Sequence, residues 1–307
     1  MSTACPCALY LGRLSPTSRS SIASQLNSVA KLMNWPDDYG SYFAKIDYQQ
    51  ALVIRAVLTN AGWKPRSVNR AMIAIRCIIK VAVMMGQADQ KEAAHIATID
   101  RLKHPEHQGT PLSAKQVNQL FTMLERGRCA VAKRNVAIFA LLLGTGLRRS
   151  ELVALLLSDY NRRDHTLLVR NGKGNKSRLL FLPKWCQEHI AVWLHERRLE
   201  DGFLLCKTYT SGKVVPDVGM TVSSVYRLIK QKLTAIGVPN VSPHDMRRTF
   251  ITRLLEQNVD INTVRQMAGH ADIRTTTVYD KRDHQFMKQA AQTLSYTSAG
   301  GEHDSAT

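Results

Sequence analysis

Ser242-Pro-His-Asp-Met-Arg-Arg-Thr-Phe250 is the stretch on which the reading of this chain turns. Ser242 is a residue type favoured at a helix N-cap, Pro243 suits the first helical position, and Asp245 stands where the acid of a capping box belongs. A helix therefore begins here, with Met246, Phe250 and Leu254 as its apolar stripe. His244 and Arg247 are three apart and share a face near the N-terminus, where the helix dipole and free N–H groups already favour an anion. Adding two donor or cationic groups to a positive helix end makes sense if something negative is bound. Downstream, Asn258 and Asp260 interrupt the helix, and the next one closes at Gly269, a residue suited to the left-handed C′ position. His270 follows on a turn, and Asp272 caps a short segment ending Thr275-Thr-Thr-Val-Tyr279. Taken singly, His270 or Tyr279 is more often structural than catalytic, and Tyr279 is one of nine tyrosines.

Upstream, Leu143-Gly-Thr-Gly-Leu-Arg148-Arg-Ser-Glu-Leu152 breaks one helix and starts another, projecting Arg148 from a helix beginning, again a place for a phosphate. Two β-like runs, Thr166–Arg170 and Arg178–Leu182, are joined by Asn171-Gly-Lys-Gly-Asn175, whose Asn-Gly and Gly-Asn pairs predict a hairpin turn. Lys173 sits at its tip, able to reach a DNA groove, although a solvated turn lysine is the commoner case.

The chain has 307 residues and carries 42 Lys+Arg against 24 Asp+Glu, a net charge of +18, with a pI near 9.9. Such a surface attracts polyanions, because each neutralised phosphate releases condensed counterions. Both halves are basic, so neither is a mere charged tail. The six cysteines, Cys5, Cys7, Cys77, Cys129, Cys186 and Cys206, lack the paired CxxC spacing of a zinc site. With no secretory signal before them, they point to a reducing, cytoplasmic compartment. His104 and His107 alone do not make a metal site. The longest apolar run, Val136 to Leu143, is too short to span a bilayer.

Residues 1–13 read as a loose lead-in. Helical periodicity begins at Ser15, with Ile22, Leu26, Val29 and Met33 on one stripe. A second helix covers about Gln49–Ala61, and a third runs from about Ser67 to Gly86 with Met72, Ile75, Ile79 and Val83 inward. A fourth lies near Gln90–Ile96. Together they predict a small helical bundle over 1–103, with Arg66, Arg70, Arg76 and Lys80 as a basic face that any solvated surface would also explain. His104-Pro-Glu-His-Gln-Gly-Thr-Pro111 reads as a linker. Residues 112–297 read as a second domain, helical apart from the hairpin, and 298–307 as a disordered tail. The fold class expected is mainly α with a small β-sheet.

The Gly-Thr-Gly-Leu-Arg-x-Ser-Glu-Leu segment, the His-x-x-Arg helix, the Gly-His turn and the following Tyr resemble, in order and spacing, the boxes of the tyrosine recombinase (phage integrase) family, with a Xer-like or mobile-element character. The resemblance covers the whole chain, residues 1–103 being similar to the family's helical core-binding domain and 112–297 to its catalytic domain. It implies that Arg148 and Arg247 clamp a DNA phosphate, that Lys173 protonates the leaving 5′ oxygen, and that His244 and His270 assist. Tyr279 is then the nucleophile of a 3′-phosphotyrosyl intermediate. It further implies no metal or other cofactor, double-stranded recombination sites as partner, and a homotetramer, or a hetero-oligomer with a related recombinase, on DNA. Arg248 stands where many relatives carry histidine, and Gln87-Ala-Asp-Gln-Lys-Glu replaces a more usual Asn-Pro turn. Glu151 and Asp245 are expected to be supporting structure.

A type IB topoisomerase would share this set but relax one duplex rather than exchange two sites. A non-catalytic DNA-binding regulator would be expected to have lost one or more of the six residues, all of which are present. A metal-dependent nuclease would need an acidic cluster that the sequence lacks. After Tyr279, Asp283 to Tyr296 reads as a helix with Phe286, Ala290 and Leu294 at steps of four, expected to dock on a neighbouring protomer or pack at home.

Overall fold

The computed structural model describes residues 5–104, 109–170, 177–198, 201–270 and 272–280. Lys173, part of the expected linker, and the segment after Asp280 that includes the expected C-terminal helix lie outside them. The chain divides into two compact units, Met1–His107 and Gln108–Thr307, each with its own apolar core.

The first unit is a helical bundle: α1 (Pro6–Gly12), α2 (Pro16–Leu32), α3 (Gly40–Ala44), α4 (Tyr48–Asn60), α5 (Pro65–Met84) and α6 (Gln90–Ala97). Its axis is α5, whose Val68, Met72, Ile75 and Ile79 are almost fully buried, with Val83 packed at the edge of the core. The start of α4 is set by a capping box: Gln50 N–H donates to the Asp47 carboxylate (2.7 Å) and Asp47 N–H to the Gln50 amide oxygen (3.3 Å). The lead-in expected over 1–13 is corrected in its described part. Pro6 opens α1, and Cys7 is buried against the bundle with Tyr10 and Leu11, three and four positions on, packed at the edge of the same core, so burial orders a segment of barely two turns. Arg76 also departs from the solvated face expected for it. It is half-buried and donates to the Ile99 carbonyl, while Arg66, Arg70 and Lys80 are exposed.

In the second unit, α7 (Ala114–Glu125), α8 (Ala130–Thr145) and α9 (Arg149–Ala154) precede a three-stranded antiparallel sheet of β1 (Tyr160–Asn161), β2 (Thr166–Val169) and β3 (Arg178–Phe181). Then come α10 (Lys184–Arg197), a two-stranded sheet of β4 (Cys206–Thr208) and β5 (Val214–Gly219), α11 (Val222–Ala235), α12 (Pro243–Glu256), α13 (Ile261–Ala268) and α14 (Arg274–Thr277). Val136 to Leu143, the longest apolar run, is buried throughout as the middle of α8, which α7, α10 and α12 surround. At roughly 1.5–3 kcal/mol per buried large aliphatic side chain, this helix dominates the unit's stability. No described helix is long and apolar enough to cross a membrane. β2 and β3 pair with Leu167 opposite Leu180 and Val169 opposite Arg178, which sets Arg178 at the inner end of the hairpin. Helices dominate after that hairpin, as expected, with the short β4–β5 pair as an addition the sequence did not signal. Pro216 and Gly219 in β5, and only three residues in β4, leave no alternation to read.

The break after α8 brings the chain hard against α12. Gly146 is left-handed (φ +63°), and a Cβ there would stand 2.3 Å from the Phe250 ring of α12. Both facts demand glycine. Gly146→Ala is therefore expected to destabilise the second unit by about 2–4 kcal/mol, from left-handed strain plus overpacking. The check is a lower denaturant midpoint for its unfolding; an unchanged midpoint would refute it.

Candidate active site

Three chain breaks converge beside α12. Ser242 opens that helix, its backbone N–H and hydroxyl both donating to Asp245 Oδ2 (2.7 and 2.6 Å). This anchors the first turn, and with it His244 and Arg247. Arg247 is 1% exposed. Its guanidinium donates to the carbonyl of Gly146 (2.8 Å), where α8 ends, and to that of Ala268, where α13 ends. Arg148 caps α9. Its Nη1 donates to Glu151 Oε1 (2.6 Å), its Nη2 to the Gly269 carbonyl (3.0 Å), and its backbone N–H to Glu151 Oε2 (2.8 Å). Arg148, His244 and Arg247 line one pocket of about 220 Å³ together with Leu147, Arg149 and Val222.

Glu151 is the carboxylate at the centre of this cluster. Besides Arg148 it takes a two-pronged bond from Arg178 of β3 (3.0 and 2.8 Å). Burial alone would raise its pKa, but hydrogen bonds from Arg178 and Arg148 outweigh this and hold it at about 2. Burial and the charge of Arg148 push Arg247 down to about 9, still cationic at neutral pH. Its Nε is buried with no hydrogen-bond partner among the described residues. Two arginines therefore share one carboxylate while a third, Arg247, is held only by carbonyls, and the surplus positive charge faces a pocket suited to an anion.

His270 follows Gly269, which is left-handed at φ +65° and closes α13. Burial, then the charges of Arg247 and Arg148, push the imidazole down to about 3, so it is neutral at physiological pH. Its Nδ1 lies 2.9 Å from the buried Thr276 hydroxyl. If Thr276 donates, Nε2–H is left as the donor towards the pocket. His244 is open to solvent on one side. Partial desolvation, and then Arg247 and Arg248, hold it below the ordinary histidine value.

Tyr279 arrives on the turn after α14, its backbone N–H bonded to the Thr276 carbonyl (3.0 Å). Its ring is 7% exposed, packed in a small cluster with Phe250, Ile251, Leu255, Val264 and Ala268. It lies nearly parallel to His270, with ring centroids 6.3 Å apart. Arg148, His244, Arg247, His270 and Tyr279 are thus brought into one neighbourhood; Lys173 lies outside the described residues. Sequence reasoning missed Arg178, which shows only as a basic residue opening a strand, and Thr276, one of three threonines in a row. Among the described residues no group of three or more His, Cys, Asp or Glu side chains gathers as a metal site would require.

The model of the phage integrase family matches residues 111–285, more than half of the chain. The protein belongs to the phage integrase family. Among its relatives, tyrosine recombinase XerA of Thermococcus kodakarensis is 28% identical over 86% of this chain and 85% of its own. Tyrosine recombinase XerD of Vibrio cholerae is 29% identical over 88% of each. In fold it is similar to the Tn1549 transposon integrase in complex with transposon right end DNA, with a TM-score of 0.73 at 16% identity, covering 94% of this chain and 99% of that one.

The cluster makes stability pH-dependent with a definite sign. Glu151 titrates at about 2 in the folded chain against an ordinary 4.5. It therefore contributes about 3 kcal/mol above pH 4.5, lost as the pH falls towards 2. Glu151→Gln should destabilise the second unit by about that amount at pH 7 and flatten the loss between pH 4.5 and 2, read from denaturant midpoints. The loss between pH 6.5 and about 3 that comes from keeping His270 neutral should persist. An acid limb unchanged by the substitution would count against the assignment.

Proposed function

We propose that this protein is a site-specific DNA recombinase in which Tyr279 attacks the scissile phosphate. The observation that carries the reading is the cationic pocket: Arg148 and Arg247, fixed by backbone carbonyls and Glu151, beside a buried tyrosine. Its membership of the phage integrase family and its likeness along most of its length to Xer recombinases support the same reaction.

Arg148 and Arg247 hold the non-bridging oxygens, whose negative charge grows as the phosphorus becomes five-coordinate; donors fixed beforehand stabilise that charge without reorganising. His270 donates from Nε2. The Tyr279 oxygen forms the new P–O bond while its proton leaves through His244 or solvent. The bond to the 5′ oxygen breaks, and that oxygen takes a proton from Lys173. The 3′-phosphotyrosyl bond conserves the phosphodiester energy, so that a 5′-hydroxyl of a second duplex can reverse the steps and restore Tyr279 without ATP. Charge that Mg²⁺ supplies elsewhere comes here from arginine.

The helical unit, residues 1–103, contributes DNA binding through its basic exposed face, and 112–297 contributes both binding and chemistry. Acting on DNA, the protein works in the cytoplasm. Strand exchange calls for a homotetramer, or a hetero-oligomer with a related recombinase, on paired sites, linked by the C-terminal segment of one protomer docking on the next.

Two experiments test this. On a nicked suicide substrate in excess EDTA and without ATP, the wild-type chain should trap a covalent DNA adduct. Tyr279→Phe should trap none, at near-normal DNA affinity, because one oxygen is removed and few contacts. Adduct formation by the variant, or a strict need for Mg²⁺ at cleavage, would refute the assignment. Deleting residues 284–307 should leave single-site binding little changed and weaken synapsis, seen as loss of paired-site complexes on native gels; normal recombination by the truncated chain would refute docking in trans.

A further inference from the structure

Arg248 belongs to none of the roles above, yet it is the charged side chain set most directly on Tyr279. Its guanidinium carbon stands 4.8 Å from the centroid of the tyrosine ring, within the roughly 6 Å reach of a cation–π contact. The side chain is only 14% exposed, which strengthens such a contact by removing competing water.

The arginine is itself held in place. Asp245 Oδ2 is occupied by the Ser242 backbone N–H and hydroxyl. That leaves Oδ1 for Arg248, whose Nε lies 3.4 Å away as an ion pair without hydrogen-bond geometry, both side chains being largely buried. The backbone of Gly109 lies against this pair so closely that a Cβ would stand 1.8 Å from Asp245 Oδ1 and 3.0 Å from Arg248 Nε. A chain of contacts thus runs from the helix cap through Asp245 and Arg248 to the ring. The tyrosine needs such a hold, because it follows a four-residue helix and its hydroxyl makes no hydrogen bond to another described residue.

We propose that Arg248 is the positioning residue of Tyr279: tethered by Asp245, it holds the ring against α12 and stabilises the phenolate that forms on attack. The inference rests on the reading of Tyr279 as nucleophile. The contact favours the transition state over the ground state, since a cation is attracted weakly by the quadrupole of a neutral ring and strongly by a phenolate. Among the described residues, the charged or titratable groups that face Tyr279 are Arg247 and Arg248 of α12 and His270 of the turn after α13. His270 is neutral above about pH 3, and Arg247, pushed down to about 9, can only slow cleavage as it loses its charge. A rise in cleavage rate with alkaline pH therefore reports the tyrosine.

The test measures single-turnover adduct formation on the suicide substrate across pH 6 to 10, using the full-length wild type, Arg248→Gln, Arg248→Lys and Tyr279→Phe. Arg248→Gln should slow adduct formation about tenfold or more at pH 7 and displace the alkaline limb upward by about one pH unit, the equivalent of that factor, without loss of DNA affinity. Arg248→Lys should keep the limb near its wild-type position and recover much of the rate. A glutamine variant that cleaves like wild type, or is slow with the limb unmoved, would overturn the proposal. So would a lysine variant with a displaced limb, which keeps the test decisive should the glutamine variant not fold. An adduct from Tyr279→Phe would instead refute the nucleophile itself.

Discussion

A guanidinium can be buried only where its donors meet acceptors, and Arg247, 1% exposed, finds them in the carbonyls of Gly146 and Ala268. Those carbonyls are free because two helices end there, each in or beside a left-handed glycine, so their oxygens have no partner in their own helices. One side chain of α12 therefore staples together the ends of α8 and α13. The positions of Arg148, at the start of α9, and of His270, just past α13, follow from that staple. Move it, and the pocket, the histidine and the approach to Tyr279 move with it.

The same arrangement gathers like charges in one place. Arg148, Arg178 and Arg247 surround one carboxylate, and the imidazole among them stays neutral because burial, and then repulsion by these charges, disfavour its protonation. On the proposed reaction a phosphodiester would relieve this repulsion, and its transition state, with more charge on the same oxygens, would relieve it further. Preorganisation here is the cost of holding like charges together in advance, offset by the packing of α8 and α12 rather than by ligand binding.

Much of this was legible in the chain. The α12 capping box, the breaks at Gly146 and Gly269, the hairpin strands and the periodic helices of the first unit all depend on local chemistry. Ser242 with Asp245, or Met72 with Ile75 and Ile79, carry that chemistry in their spacing. Helix α1 and the β4–β5 pair went unread because each is short and ordered by distant partners: Cys7, Tyr10 and Leu11 span little more than one turn, and Pro216 breaks the strand pattern of β5. Arg178 was hidden for a related reason. An arginine at a strand end looks solvated until the register with Val169 and the position of Glu151 are known. The contact of Arg248 with Tyr279 likewise joins a residue of α12 to one on the turn after α14, which no local pattern signals.

The sharing of Glu151 between two arginines has a consequence for how this protein can diverge. Arg148 comes from a helix cap and Arg178 from a strand, yet each is held by the same two oxygens. Replacing either arginine changes the setting of the other, and replacing the glutamate unseats both. Substitutions at these three positions are therefore non-additive, and a lineage can accept a new residue at one only alongside a matched change at another. The hairpin strand is bound by inheritance to the helix cap, and the triplet is expected to persist or to change as a block.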